Sequence, residues 1–278
     1  MDYSLFYCII YLRGEIMKYK IDHDFHIHTY LSKCSGDENQ VVDNIVRKAK
    51  ELGYKDICIT DHLFDDSFKH EMNFYKGQNF EHITKDLPYK KYEGINVYFG
   101  AECDLDKDGV LGITKEQLDR CDFLIISVNH FHLAIDPFMD LSDSERANKY
   151  IERINKVLDM DLPFSKIGLA HLTCSLIKRG DFRDHVKVYD MVKDEELHKI
   201  FKKTKEKGIG IEINIPLSRY LENEVDSILR IYRIAKEEGN KFYIGGDEHH
   251  IEDFERRYQN NKKVIDMLGL TEEDKFRF

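Results

Sequence analysis

The feature that most constrains this chain is a repeated pattern, in which an apolar run typical of a β-strand ends at a histidine or an acidic residue. Seven runs have this form, and the polar residues that end them are His26 and His28, Asp61 and His62, Glu102, His130, His171, Glu212 and Asn214, and Asp247 and His249. Side chains alternate along a strand, so His26 and His28 point to one face and could grip one metal ion. Delivery of such residues at the same end of every strand predicts a metal site at the mouth of a barrel.

Helical patterns separate these runs. Apolar residues recur at helical spacing in five segments, which are residues 41–52, 141–158, 194–207, 222–238 and 254–268. Gly53, Gly208 and Gly239 follow three of them, at the position where a glycine commonly ends a helix. Strands that alternate with helices pair in parallel, so seven such units predict an α/β fold with a closed or nearly closed barrel.

Composition narrows the possible partners. The net charge of −10 argues against a broad nucleic-acid-binding surface, which would need a basic face. A small phosphorylated substrate remains compatible with this charge, because bound cations reverse the local field. The six cysteines show no disulfide framework spacing, which indicates reduced thiols and a cytoplasmic location.

Two segments depart from the regular alternation. Residues 3–12 are apolar but too short to span a bilayer, and Met17 directly precedes the first strand. We therefore expect residues 1–16 to be an N-terminal extension or a mis-set start, and residues 17–278 to form the barrel domain. The alternative for residues 1–16 is an extra strand or helix packed against the barrel bottom. Residues 63–94 are irregular and rich in aromatic residues, which predicts a lid or a pocket wall.

The ordered set of motifs resembles the PHP (polymerase and histidinol phosphatase) superfamily, specifically its histidinol-phosphatase-like branch. The matching motifs are His26-Ile27-His28, Thr60-Asp61-His62, Glu102, His130, His171 and Asp247-Glu248-His249. Each motif alone is common by chance, but all six occur in the family's order. The resemblance implies a single distorted (β/α)7 barrel with its metal site at the C-terminal ends of the strands. It also implies hydrolysis of phosphate esters with two or three divalent metals, which for these ligand types means Zn, Mn or Fe.

The resemblance further implies three ligand sets. The first metal would be held by His26, His28, Glu102 and Asp247. Glu102 would bridge to a second metal completed by His130 and His171, and His62 and His249 would hold a third. Asp24 and Asp61 are expected to orient the imidazoles, and Asp247, His249 and Glu102 are the expected catalytic residues.

Two positions depart from the family pattern. Where the family often has His or Asp completing the third site, this chain has Cys34, with Asp37 close behind. A cysteine thiolate can bind zinc, so Cys34 and Asp37 both remain candidates. The usual Ser-x-His after the fourth strand is here Ser127-Val128-Asn129-His130, which favours His130 but leaves His132 as a rival.

The pattern after the sixth strand suggests how substrate binds. Asn214 and Arg219 fit the family's continuation of this strand, and Arg219 is expected to clamp a phosphate with its planar fork of donors. Arg183 and His250 are weaker candidates, the former for phosphate and the latter as a proton donor.

The resulting prediction is a metal-dependent phosphatase that acts on histidinol phosphate. The alternatives are a phosphoesterase for nucleotides or cyclic phosphates, and a metal-binding scaffold without catalysis. An amidohydrolase-type enzyme would be expected to place a lysine at the fourth strand, and none is there.

Overall fold

The computed structural model describes residues 17–134 and 140–278. Residues 1–16, for which an extension or an extra element is expected, lie outside the described part of the chain. The described strands are β1 His23–Ile27, β2 Asp56–Ile59, β3 His62–Leu63, β4 Asn96–Asp104, β5 Phe123–Ser127, β6 Ile167–Leu169, β7 Gly210–Ile213 and β8 Lys241–Ile244. The described helices are α1 Val42–Glu51, α2 Phe80–Ile83, α3 Lys115–Arg120, α4 Phe131–Ala134, α5 Asp143–Leu158, α6 Asp184–Asp190, α7 Asp194–Lys207, α8 Glu222–Glu237 and α9 Asp253–Leu268.

The strands form one parallel sheet that curves into a nearly closed barrel. Along the barrel the order is β1-β2-β4-β5-β6-β7-β8, and the short β3 pairs only with β4. The gap between β8 and β1 is closed by the segment that follows β8. There the Asp247 amide donates to the carbonyl of His26 at 2.7 Å, and the His28 amide donates to the carbonyl of Glu248 at 3.1 Å. The predicted α/β barrel of seven parallel strands is therefore confirmed.

Two strands extend further than the sequence interpretation, because Glu212 lies inside β7 and Glu102 inside β4. Glu102 does not follow its strand but lies inside β4, which continues to Asp104. The continuation arises because β3 and β5 flank this part of β4, so its backbone groups find partners on both sides. In this register His62 of β3 lies directly beside Glu102. The pairing thus brings two predicted metal-site residues together.

The helices follow the predicted pattern closely. Helix α7 has the predicted bounds and ends at Gly208, which adopts a left-handed conformation with φ of 75°. Helix α5 begins two residues later than predicted, because Ser142 caps it and pairs reciprocally with Glu145. No helix in residues 17–134 and 140–278 is long and apolar enough to cross a membrane.

The bottom of the barrel, opposite the ligand-bearing strand ends, is filled by aromatic rings. The C-terminal Phe276 is only 5% exposed and packs with Phe123 and Tyr243 inside the barrel. Phe278 stacks on Phe123 at a ring-centroid distance of 4.7 Å. The segment after α9 is rich in charged residues, yet its Phe276 belongs to the hydrophobic core.

We predict that Phe276→Ala lowers the free energy of unfolding by about 3 kcal/mol, because it leaves a cavity in the barrel core. Urea denaturation followed by circular dichroism measures the change. Phe278→Ala is the matched control, since its ring is 40% exposed and should cost clearly less. Equal stability of Phe276→Ala and the unaltered protein would contradict the assigned packing.

Candidate metal centre

His26 at the end of β1 and His28 just after it converge on two carboxylates at the top of the barrel. The Nε2 atoms of His26 and His28 lie 3.0 Å apart, on the same face of the strand. Oε2 of Glu102 lies 3.2 Å from the first nitrogen and 3.3 Å from the second. Oδ1 of Asp247 lies 3.5 Å and 3.1 Å from the same two nitrogens. All four ligand atoms therefore surround one point, as the first expected ligand set requires.

The chemistry of this donor set fits a divalent cation. The Nδ1–H group of His26 donates to Glu212 at 2.6 Å, and that of His28 donates to Ser32 at 2.8 Å. Each Nε2 atom is then free to present its lone pair to the centre. Two lone pairs and two carboxylates facing one another at about 3 Å repel unless a proton or a cation lies between them. Imidazole and carboxylate ligands together suit Zn, Mn and Fe.

Glu102 connects this first cluster to its neighbours. While Oε2 faces His26 and His28, Oε1 lies 2.9 Å from Nε2 of His171. Nδ1 of His62 lies 3.2 Å from Oε2 on the other side. Glu102 is 1% exposed, so its charge is shared among these imidazoles rather than with solvent. A carboxylate in this position can bridge two cations.

The second cluster contains His130, His171 and Cys174, whose ligand atoms all lie within 4.8 Å of one another. The Nδ1–H group of His130 donates to Oδ2 of Asp104 at 3.1 Å, which orients this imidazole. His132 lines the pocket but is not part of the cluster. Of the two rivals left open by the sequence, the structure thus brings His130 to the centre.

The third cluster contains His28, Cys34, His62 and His249. Nε2 of His249 lies 2.9 Å from Sγ of Cys34, and its Nδ1–H group donates to the carbonyl of Asp247 at 2.9 Å. Asp37, the other candidate for this site, lies 3.3 Å from the exposed His250 and is not in the cluster. Of the two candidates that the sequence left open for this site, the structure thus brings Cys34 to the cluster.

Asp24 and Asp61, which were expected to orient the imidazoles, contact backbone amides and hydroxyl groups rather than the imidazoles themselves. Asp24 accepts from the backbone amides of His26 and Gly246, and thus ties β1 to the segment after β8. Asp61 accepts from Ser32, which in turn accepts from His28. The direct imidazole partners are Glu212, Ser32 and Asp104. The sequence pattern placed Glu212 at the end of an apolar run, but only the fold shows that it contacts the imidazole of His26.

Electrostatics in this cluster are strongly coupled. Burial alone would lower the pKa of His26, but Glu212, Glu102 and Asp247 hold that pKa well above its ordinary value of 6.5. Burial and the neighbouring imidazoles lower the pKa of His62 to about 3, although Glu102 opposes this shift. Burial would raise the pKa of Asp247, yet His26, His249 and His28 hold it well below 3.8. Without metal, protons on imidazoles neutralise the carboxylates, and metal binding would displace those protons.

Two ligand candidates also have unusual backbone conformations. In the described part of the chain, His171 and Asp247 are the non-glycine residues with positive φ, at 22° and 55°. Such conformations cost about 1–3 kcal/mol each and persist only where surrounding contacts hold them. The backbone amide of His171 donates to Glu212, and that of Asp247 donates to His26.

The clusters open into a pocket of about 430 Å³. Asn214 and Arg219 line it, as expected for substrate-binding residues. The guanidinium of Arg219 lies 4.4 Å from the ring centroid of Phe182, which also lines the pocket. Arg183 instead lies near Asp181 and Glu224, each at 3.7 Å.

Two arginines that no sequence motif indicates also line the pocket wall. Arg256 and Arg257 lie in the first turn and a half of α9, directly after the Asp247-Glu248-His249 motif. Nη1 of Arg257 donates to Oδ1 of Asn214 at 3.4 Å. Their position in a helix pattern gave no sign of a pocket role, because only the packing of α9 against the barrel brings them to the pocket.

Comparison with known proteins agrees with this geometry. The model of the PHP domain family matches residues 24–216. The chain therefore belongs to the PHP domain family, which confirms the resemblance seen in the motifs.

Individual relatives give the following picture. A probable phosphatase from Caldicellulosiruptor saccharolyticus is 25% identical over 232 residues, which cover 83% of this chain and 81% of that protein. The PolC-type DNA polymerase III of Listeria monocytogenes is 26% identical over 166 residues, 57% of this chain but only 10% of the polymerase. Among solved structures, histidinol phosphate phosphatase from Lactococcus lactis aligns with a TM-score of 0.63 and 17% identity. The alignment covers 93% of this chain and 99% of that one, and that structure is a complex with zinc, L-histidinol and phosphate. A second histidinol phosphatase structure, from Listeria monocytogenes, aligns with a TM-score of 0.57 and 16% identity, covering 86% and 99%.

We predict that Glu212→Gln weakens zinc binding about tenfold, because the neutral amide no longer stabilises charge on His26 and no longer raises its basicity as a ligand. Competition with a chromogenic chelator measures the affinity. Glu206→Gln, an exposed substitution on α7, is the control and should leave affinity unchanged. The assigned role of Glu212 is refuted by an affinity equal to that of the control.

Proposed function

We propose that this protein hydrolyses a small phosphate monoester at a centre of two or three divalent metals. The observation that carries the proposal is the position of Glu102, whose two carboxylate oxygens face two different clusters of potential ligands. Hydrolytic centres that displace a phosphate ester in line commonly hold two cations about 4 Å apart. A bridging carboxylate is the means by which a protein brings two cations that close.

The proposed ligands are those brought together by the three clusters. They are His26, His28, Glu102 and Asp247 for the first cation, Glu102, His130 and His171 for the second, and Cys34, His62 and His249 for the third. Bound divalent cations would supply Lewis acidity toward the phosphate oxygens and would lower the pKa of a water molecule. Asp247, His249 and Glu102 are the proposed catalytic residues, because they lie where the first and third clusters meet the pocket.

The remaining residues of the pocket would bind the substrate. Arg219 can pair with a phosphate through two parallel hydrogen bonds, and the ring of Phe182 beneath its guanidinium restricts the plane of that fork. Asn214, held by Arg257, offers its amide to the same space.

Histidinol phosphate is the substrate we propose first. The support is the full-length alignment with histidinol phosphate phosphatase from Lactococcus lactis, which binds L-histidinol and phosphate, and the family membership of this chain. A nucleotide or another anionic phosphate ester is the second candidate. It is favoured by three pocket arginines, Arg219, Arg256 and Arg257, with the aromatic rings of Phe182 and Tyr220 beside them.

A substrate panel separates these possibilities. Metal-free protein would be reconstituted with Zn, Mn or Fe and assayed for phosphate release from histidinol phosphate, nucleoside monophosphates, cyclic nucleotides and p-nitrophenyl phosphate. Turnover highest with histidinol phosphate supports the first candidate, and turnover highest with a nucleotide supports the second. Absence of turnover on every compound by fully metal-loaded protein would indicate a binding scaffold and would refute the proposed function.

We predict that His26→Ala and Asp247→Ala each reduce kcat about 100-fold or more, since loss of a ligand to the first cation removes several kcal/mol of transition-state stabilisation. Phosphate release under saturating substrate gives kcat, and circular dichroism tests for retained fold. His250→Ala is the control, because its exposed side chain pairs with Asp37 outside the three clusters. Near-normal turnover of either ligand variant rules out the assigned first site.

For Arg219→Ala we predict a KM raised about tenfold, because a charge-assisted hydrogen bond to phosphate contributes about 1.5–3 kcal/mol. The kcat value should change less than KM. Initial rates over a range of substrate concentration separate the two parameters. Arg183→Ala is the matched control. Arg183 pairs with Glu224, so its loss should leave KM unchanged.

A further inference from the structure

Cys174 belongs to the second cluster but has no role in the proposed ligand sets. The resemblance to the family implies three ligands for the second cation, which are Glu102, His130 and His171. In the structure, Sγ of Cys174 lies within 4.8 Å of the ligand atoms of both histidines. The same side chain lines the pocket above the metal centre.

The backbone around Cys174 holds this side chain in place. The amide of Cys174 donates to the carbonyl of His171 at 2.8 Å, which makes a tight turn of four residues. The hydroxyl of Tyr189 donates to the carbonyl of Cys174 at 2.8 Å, and the side-chain amide of Asn129 donates to the carbonyl of His171 at the same distance. Both ends of the turn are thus fixed before any cation binds, so the site is preorganised.

Three buried cysteines of the barrel differ from Cys174 in their surroundings. Cys58, Cys103 and Cys121 are buried within hydrophobic clusters and behave as small apolar side chains. Cys174 and Cys34 instead have imidazoles as neighbours, and both line the same pocket. A thiol that lies beside two imidazoles has the surroundings of a metal ligand.

We propose that Sγ of Cys174 is a direct ligand of the second cation, together with His130, His171 and Glu102. This inference rests on the proposed metal centre and adds a residue to it. Four ligands from two nitrogens, one sulfur and one oxygen match the tetrahedral preference of zinc. Together with Cys34 in the third cluster, one thiolate then flanks the central nitrogen-and-oxygen site on each side.

A thiolate ligand at the second site affects which metal binds there. Soft thiolate ligands favour zinc or iron, whereas manganese and magnesium favour oxygen ligands. The second and third sites are therefore selective for a thiophilic cation. The first site, built from His26, His28, Glu102 and Asp247, has no such preference and also accepts manganese.

Cobalt substitution tests the proposal without an activity assay. Co²⁺ bound to a thiolate absorbs in the near ultraviolet through charge transfer from sulfur, and imidazole or carboxylate ligands alone do not produce this band. We expect Cys174→Ser to lose about half of the band of the unaltered protein and to bind zinc at the second site about tenfold more weakly. Cys34→Ser should lose the other half, and Cys121→Ser is the matched control that should retain all of it. Circular dichroism confirms that each variant is folded.

The outcomes separate this inference from the proposed function. If Cys174→Ser keeps the full band and the full zinc content, the thiolate is not a ligand, while the metal centre itself stands. If the unaltered protein binds neither zinc nor cobalt, the centre and this inference both fail.

Alkylation provides a test that does not depend on a variant. Iodoacetamide should modify Cys174 in the metal-free protein, and zinc should slow that modification about tenfold or more, as measured by peptide mass spectrometry. Equal modification with and without bound zinc would overturn the proposal even if Cys174→Ser failed to fold.

Discussion

The central constraint on this structure is electrostatic. Lone pairs and negative charges meet at the top of the barrel, and they repel one another unless a proton or a cation lies between them. Imidazole lone pairs of His26 and His28 face each other and the carboxylates of Glu102 and Asp247 at about 3 Å. Both imidazoles and Glu102 are buried, and Asp247 borders the pocket. In such surroundings, like groups are destabilising unless a proton or a cation joins them. The raised pKa of His26 and the lowered pKa of Asp247 express this requirement for the metal-free chain. The same requirement suits the centre to the divalent cations proposed above.

Packing in the rest of the barrel offsets the free-energy cost of this centre. Asp247 and His171 hold backbone conformations that cost free energy, and hydrogen bonds from neighbouring strands hold them there. At the opposite end, the rings of Phe123, Tyr243 and Phe276 form a dense apolar core. Function and stability are thus separated along the barrel axis. This separation is typical of barrels whose chemistry lies at the C-terminal ends of the strands.

Closure of the barrel and assembly of the centre are the same event. The segment after β8 pairs with β1 through the backbone of His26, His28, Asp247 and Glu248. Those pairs bring the last motif of the chain beside the first, more than 200 residues earlier in the sequence. Asp24 reinforces the junction by accepting from Gly246. A chain that failed to close here would lose Asp247 from the first cluster.

The sequence alone determined the alternation of strands and helices, because period-two and helical spacing are local properties of the chain. Its ordered motifs also determined the family. It also placed His26, His28, Glu102 and Asp247 in one set through resemblance. Only the tertiary structure decided that His130 rather than His132 reaches the centre, and that Glu212 and Asp104 rather than Asp24 and Asp61 contact the imidazoles. It also brought Cys174, Arg256 and Arg257 to the pocket. These contacts join residues that are far apart in sequence or that depend on a turn, and neither spacing nor composition encodes which side chains then meet.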